Sequence, residues 1–388
     1  MRLPARGRRI ALIAGLAILV LACYEVWHLA GRSDTDNTRT GTPPEVTSAV
    51  APPSSEAPPE PIPLYDTAWL APAFSQPNEL DEYFAHLKDA GFTGAIMTLT
   101  AGSSIWPERV SAVTGKATDY VDGAGRIRIE PGHIAHLRVL LDKARSHGLT
   151  IGFAVLWEQD AVCGGHAKKR PILNTGNAFD FGTEVAGAVG SHAAIAFWLF
   201  GGDAESGPDG KQCYADVKIW QQMAKALEEN GADQPIGYHT ARGANTSGLQ
   251  QRHIKWATEP WVDILMPQTG QCIASDIARS QLAAVQAYAR TINKPVYSIE
   301  MRYESTKQLS PSFCVSSGAR PKVTVEELRT DAQAAVDLRV DALVYGHHDR
   351  WQWGIAALDV SVGAGGGFDA VRRSFGSAGE NAYVAAVE

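Results

Sequence analysis

The chain has little of what marks several common protein classes. Its folded part has no excess of basic residues: residues 1–40 carry six of the 35 Lys and Arg and three of the 42 Asp and Glu, leaving 29 basic against 39 acidic groups, a net charge of −10. An acidic body argues against nucleic acid or an anionic membrane surface as its main partner. No repeat of fixed period is present, which argues against a solenoid or propeller. The first strand-like run ends in Trp69-Leu-Ala-Pro72 and lacks the glycine-rich phosphate loop of a nucleotide-binding open sheet. Only five cysteines occur in 388 residues. Long apolar runs are absent too, except at the N-terminus.

Arg2, Arg6, Arg8 and Arg9 precede an apolar run from Ile10 to Ala22 that continues more weakly to Ala30. Such a segment (1–30) reads as a cleaved signal peptide or, over its whole length, as a membrane anchor. Val20-Leu-Ala-Cys23 also loosely resembles a lipoprotein cleavage box. All three export the body, placing it in the periplasm or at the cell exterior, membrane-anchored or secreted. Residues 31–63 are rich in Pro, Ser, Thr and Glu and read as a disordered spacer.

From residue 64 to 388 the length suits one large domain or two modest ones. Strand-like runs at 64–69, 94–99, 150–156, 194–200, 235–239, 262–266, 295–299 and 342–345 alternate with amphipathic stretches at 78–90, 133–147, 214–230, 275–291 and 323–338. Gly91, Gly148 and Gly231 sit where left-handed helix caps are wanted. Eight strands alternating with helices predict an α/β fold, a (β/α)8 TIM barrel, with a doubly wound open sheet as the rival.

Active sites of such barrels lie at the C-terminal ends of the strands. Asp203 and Glu300 end apolar runs four and seven, which face each other across a closed ring. Two carboxyl groups so placed suit glycoside hydrolysis, in which one protonates the leaving oxygen and the other attacks the anomeric carbon or activates water. Asp66, Trp157, His239, Gln268, His347 and His348 fall at or just after other strand ends. His239 could donate to a sugar hydroxyl or to a catalytic carboxylate, and Asp66 could bind a hydroxyl or brace the barrel. Trp157, Trp351 and Trp353 suit stacking on a sugar ring. Tyr303 and Glu304 are further substrate-binding candidates, Glu304 alternatively pairing with Arg302. Glu158 and Asp160 are rival carboxylates. Adjacent His347 and His348 on a strand point to opposite faces, so substrate contact is expected of them rather than a metal site. Neither metal nor organic cofactor is called for. In an oxidising compartment Cys163, Cys213, Cys272 and Cys314, in the loops after strands three, four, six and seven, favour the pairings 163–213 and 272–314. Four buried thiols are the alternative.

Five segments together resemble the apiosidase-like hydrolases, family 140 of the glycoside hydrolases and its relatives. They are Asp66-Thr-Ala-Trp69, then Ala194-Ile-Ala-Phe-Trp-Leu-Phe-Gly-Gly-Asp203, then Tyr238-His239 through Glu259-Pro-Trp-Val-Asp263 to Gln268-Thr-Gly270, then Lys294-Pro-Val-Tyr-Ser-Ile-Glu-Met-Arg-Tyr-Glu304, and Tyr345-Gly-His-His348 with Trp351-Gln-Trp353. The resemblance implies a (β/α)8 barrel with Asp203 as acid/base and Glu300 as nucleophile in a retaining mechanism. It implies a polysaccharide substrate containing a pentofuranose such as apiose or arabinose, apiose in plant pectin being the family's described target. The chain departs from the family at Ser298-Ile299, where Asp-Gly is usual, and at Met301, where Pro is frequent. The 34 residues after Gly354 are too few for the C-terminal β-domain many members carry. A catalytically inactive glycan-binding barrel and a polysaccharide-assembly component are the other readings.

Overall fold

Parallel strands form the centre of the molecule in a computed structural model, which describes residues 61–102, 110–157, 162, 172–202, 216–240, 256–269, 274–304, 323–351, 353 and 367–388. The strands are β1 (Leu64–Thr67), β2 (Gly94–Thr98), β3 (Thr150–Ala154), β4 (Ile195–Gly201), β5 (Ile236–Thr240), β6 (Ile264–Pro267), β7 (Tyr297–Ser298) and β8 (Ala342–Gly346). Each pairs in parallel with its sequence neighbour from β1 to β6, and β8 pairs with both β7 and β1. Bridges Leu265↔Val296 and Gln268↔Ile299 join the remaining two edges. A closed ring of eight parallel strands is the (β/α)8 barrel that the alternating pattern predicted.

The runs are apolar without polar alternation because both faces of each strand are covered. One face fills the barrel with Tyr65, Ile96, Ala154, Phe197, Leu199, Ile264, Met266, Ile299, Ala342 and Val344. The other packs on the surrounding helices through residues such as Leu64, Met97, Phe153, Trp198, Phe200, Leu265 and Leu343. That two-sided arrangement makes side-chain parity along each strand decide whether a polar residue meets the barrel mouth or the helix layer.

Among the described residues the α-helices of seven residues or more are α1 (Pro77–Asp89), α2 (Pro131–Ser146), α3 (Ala178–Val185), α4 (Val217–Glu229), α5 (Ser275–Ile292), α6 (Val325–Asp337), α7 (Gly367–Arg373) and α8 (Ala378–Val387). Pro77 and Pro131 open α1 and α2, where a missing N–H costs nothing. Thr324 and Glu327 form a reciprocal capping box on α6. Gly91, Gly148 and Gly231 have φ of +83°, +71° and +75°, the left-handed conformation expected after α1, α2 and α4.

The hairpin Asp119–Val121 with Ile127–Ile129 and the helices α3, α7 and α8 were not anticipated. Among the described residues no helix is long and apolar enough to cross a membrane. The N-terminal leader (1–30) and most of the spacer (31–63) lie outside the described residues.

Candidate active site

Glu300 stands at the C-terminal end of β7 and is 3% exposed. Its carboxylate meets three donors. His239 Nε2, from β5, lies 3.1 Å from Oε2. Gln268 Nε2, just past β6, donates to the same oxygen at 2.6 Å. The Tyr303 hydroxyl donates to Oε1 at 2.8 Å and itself accepts the Trp69 indole N–H at 3.0 Å. Burial, and then the charge of Glu300, push the Tyr303 phenol well above its usual range, so it stays a donor at any working pH.

The other face of His239 is also met by an oxygen. Nδ1 lies 3.1 Å from the Met266 carbonyl, which can only accept. With an oxygen on each side, the neutral ring can donate to only one of them.

Aromatic rings wall the same mouth. Trp157 is half-buried, its ring 5.0 Å from Trp69 and 5.5 Å from His239. His348 faces inward, edge-on to Tyr303 at 5.6 Å, and burial pulls its pKa down to about 4. The chain that leads to Asp203 passes this wall through Gly201 and Gly202, with φ of +96° and +120°. A Cβ on Gly201 would lie 2.1 Å from the His239 carbonyl oxygen, and one on Gly202 would lie 2.9 Å from the Trp157 ring. Only glycine fits at either position.

The structure thus brings together Glu300, His239, Gln268, Tyr303, Trp157 and His348 among the expected site residues, and adds Trp69. Trp69 was legible only as part of its motif, since an indole needed to hold a tyrosine hydroxyl has no signature of its own.

Four expected substrate contacts are instead turned to the helix layer. Asp66 sits opposite in parity to Tyr65 and Thr67. Its Oδ2 accepts from the Tyr83 hydroxyl at 2.6 Å and pairs with Arg350 at 3.2 Å. Arg350 also pairs with Glu380 and donates to Ser374, and Glu380 meets His86 at 2.7 Å. Asp66 therefore braces the barrel against α1 and the C-terminal helices. Glu304 accepts from Tyr345 and Ser377 hydroxyls, each at 2.6 Å, and from the Gly379 N–H at 3.2 Å. Arg302, its expected partner, pairs with Glu327 and Asp331 instead. His347 is buried, accepts the Asp349 N–H at Nδ1, and burial holds its pKa at about 3. Trp353 packs on Tyr83 and Phe368 in the outer core, not over a sugar site.

Asp203, Glu158, Asp160, the side chain of Trp351 and the four cysteines Cys163, Cys213, Cys272 and Cys314 lie outside the described residues. Among the described residues no three His, Cys, Asp or Glu converge as a metal site.

Solved structures of similar fold include glycoside hydrolases. A family 5 glycoside hydrolase from Bacteroides vulgatus ATCC 8482 superposes with TM-score 0.60 at 20% identity, covering 82% of this chain and 66% of that one. The endo-β-1,4-mannanase of Thermotoga petrophila gives 0.54 at 12% identity, covering 84% and 76%. At such identities the likeness shows the fold. The chain spans just under two thirds of the Bacteroides enzyme. No protein of curated function matches by sequence. The family described as "Apiosidase-like, catalytic domain" matches residues 62–360, from the first barrel strand to beyond the last. With the barrel, the buried carboxylate and that match together, the chain belongs to the apiosidase-like glycoside hydrolases.

Proposed function

We propose that this glycosidase cleaves its substrate with retention of anomeric configuration, with Glu300 as nucleophile and Asp203 as acid/base. The observation that carries the reading is the setting of Glu300: one buried carboxylate at the mouth of the barrel, oriented by three side-chain donors from three strand ends. A nucleophile needs fixed aim at one carbon, and three donors on two oxygens leave the carboxylate little freedom to rotate.

In the first step a Glu300 oxygen bonds to the anomeric carbon as the glycosidic bond breaks, and Asp203 gives its proton to the departing oxygen. In the second, Asp203 takes a proton from water, whose oxygen displaces Glu300 and releases the sugar. His239, donating to Glu300, would ease that displacement by holding an N–H against the carboxylate as its charge returns. Trp157 supplies an apolar surface for the C–H face of the sugar, with Trp69 packed behind it.

For the substrate we propose a pentofuranose-containing polysaccharide, apiose or arabinose being the sugar released. The family membership supports this reading. We further propose that the enzyme acts outside the cytoplasm, tethered or secreted through its N-terminal segment, on the strength of the arginines and apolar run at residues 2–30.

The test is to screen apiose- and arabinose-rich pectic and bacterial polysaccharides for sugar release, following product configuration by NMR. Retained configuration is expected, with loss of activity in Glu300→Gln and a fall of about 10²–10⁴-fold in Asp203→Asn. Inverted product would reject the double displacement, and binding without cleavage by the wild type would favour a glycan-binding barrel.

A further inference from the structure

Strand parity does not account for the direction of Glu300. Tyr297 and Ile299 face the barrel interior, so simple alternation would aim Glu300 outward and Met301 inward. The structure has the reverse: Glu300 reaches His239 inside, and Met301 packs in the outer core. The reversal occurs at Glu300 itself, whose φ is +47°, a conformation uncommon for a residue with a side chain. Pairing with β8 shows where the extra length goes. Ser298 pairs with Leu343 and Glu304 with His347, six residue steps on one strand against four on the other. Glu300 is therefore carried on a bulge, a device that re-aims a side chain when something holds it in place.

Two charged residues on the bulge point to the helix layer and are saturated there. Arg302, 3% exposed, reaches Glu327 at 3.1 Å, Asp331 at 3.3 Å and the Ser275 hydroxyl at 2.8 Å. Glu304 is received by Tyr345 and by Ser377 and Gly379 at the start of α8, where free N–H groups and the helix dipole favour a carboxylate. Its backbone is tied on both sides, N–H to the Gly346 carbonyl and carbonyl to the His348 N–H, each at 2.9 Å. Between the two anchors Tyr303 turns inward to Glu300.

We propose that Arg302 and Glu304 are positioning residues, two anchors in the helix layer that hold the bulge so that Glu300 faces into the barrel, and that the start of α8 is thereby part of the active-site support. The proposal rests on the reading of Glu300 as the nucleophile. It gives Glu304 a role without substrate contact, and it gives α8, which lies beyond the 62–360 family match, a part in catalysis.

Gly379→Ala provides a test that leaves both anchors chemically intact. Gly379 lies in the first turn of α8, where alanine favours the helix, yet its Cβ would fall 2.3 Å from Glu304 Oε2 and 2.6 Å from Leu328 Cδ1. Full-length Gly379→Ala, Glu304→Ala, Arg302→Met and Arg302→Lys would be compared with wild type by crystallography and by hydrolysis of 4-nitrophenyl α-L-arabinofuranoside. Expected is rotation of Glu300 away from φ near +47° with loss of the His239 and Tyr303 contacts. On the nitrophenyl glycoside kcat should fall about 10²-fold with KM nearly unchanged, and Arg302→Lys should recover part of it.

If Glu300 keeps its φ and both contacts in Gly379→Ala and Glu304→Ala, the proposal is overturned, whatever the glycoside shows. A kcat loss in Glu304→Ala with Glu300 unmoved would overturn it in favour of direct action by Glu304. Full activity of Glu300→Gln would instead sink the nucleophile reading, while the crystal structures would still decide whether the anchors hold the bulge.

Discussion

Two buried carboxylates at strand ends, Glu300 on the inner side of the sheet and Asp66 on the outer, have opposite company. Glu300 is met by an imidazole, an amide and a phenol, all at the mouth of the barrel. Asp66 is met by Tyr83 and by Arg350, whose guanidinium is in turn shared with Glu380 and Ser374 beneath the C-terminal helices. Both are almost fully buried, so burial does not distinguish the proposed nucleophile from a structural acid. Side of the sheet does: the inner side leads to the barrel mouth, where active sites of this fold lie, and the outer side to the helix layer. Asp66 illustrates the cost of its position: burial raises its pKa despite the opposing charge of Arg350.

The contrast is broken most severely by exchanging the consequences of the two losses. Glu300→Gln should abolish hydrolysis while leaving the cooperative urea transition close to that of wild type, since Gln still offers an oxygen to Tyr303. Asp66→Ala should do the reverse. Stranding Arg350 beside a single remaining carboxylate should cost about 3–5 kcal/mol in urea unfolding, with kcat per folded molecule unchanged. An Asp66→Ala enzyme that is stable but inactive would erase the distinction. Tyr303→Phe probes the edge of the inner cluster. It removes one donor from Glu300 and the acceptor of the Trp69 N–H, for a stability loss of about 1–3 kcal/mol and a measurable fall in kcat.

The pair His347 and His348 extends the comparison to pH. Burial depresses both, to about 3 and about 4. A depressed histidine binds fewer protons folded than unfolded, so its contribution to stability is whole above the unfolded pKa of about 6.5 and is lost as pH falls from there toward 3. Melting temperature should accordingly drop between pH 6.5 and 4, and less steeply in His347→Gln and His348→Gln. Equal slopes in wild type and both variants would remove these side chains from the acid response.

Much of this was legible in the sequence, and the exceptions have a common origin. The eight apolar runs and the glycine caps identified the barrel because strands covered on both faces must be continuously apolar and helices must end. Glu300, His239, Gln268 and Tyr303 came out at one mouth because they follow strand ends. Asp66 and Glu304 satisfy the same rule and still face outward. Their direction is set by parity, which the six-against-four bulge after β7 shifts at Glu300, and nothing in Ser298-Ile-Glu-Met-Arg announces it. The partners that saturate the outer acids, Arg350, Ser377, Gly379 and Glu380, come from turns and helices beyond the last strand, where no periodic pattern led to an expectation.

The most direct measurement is to trap the intermediate. Incubating the enzyme with a 2-deoxy-2-fluoro pentofuranoside bearing a good leaving group and mapping the labelled peptide by mass spectrometry should place one sugar on Glu300. Label on Glu304, or retained hydrolysis by a Glu300→Gln enzyme, would contradict the assignment of Glu300 as nucleophile.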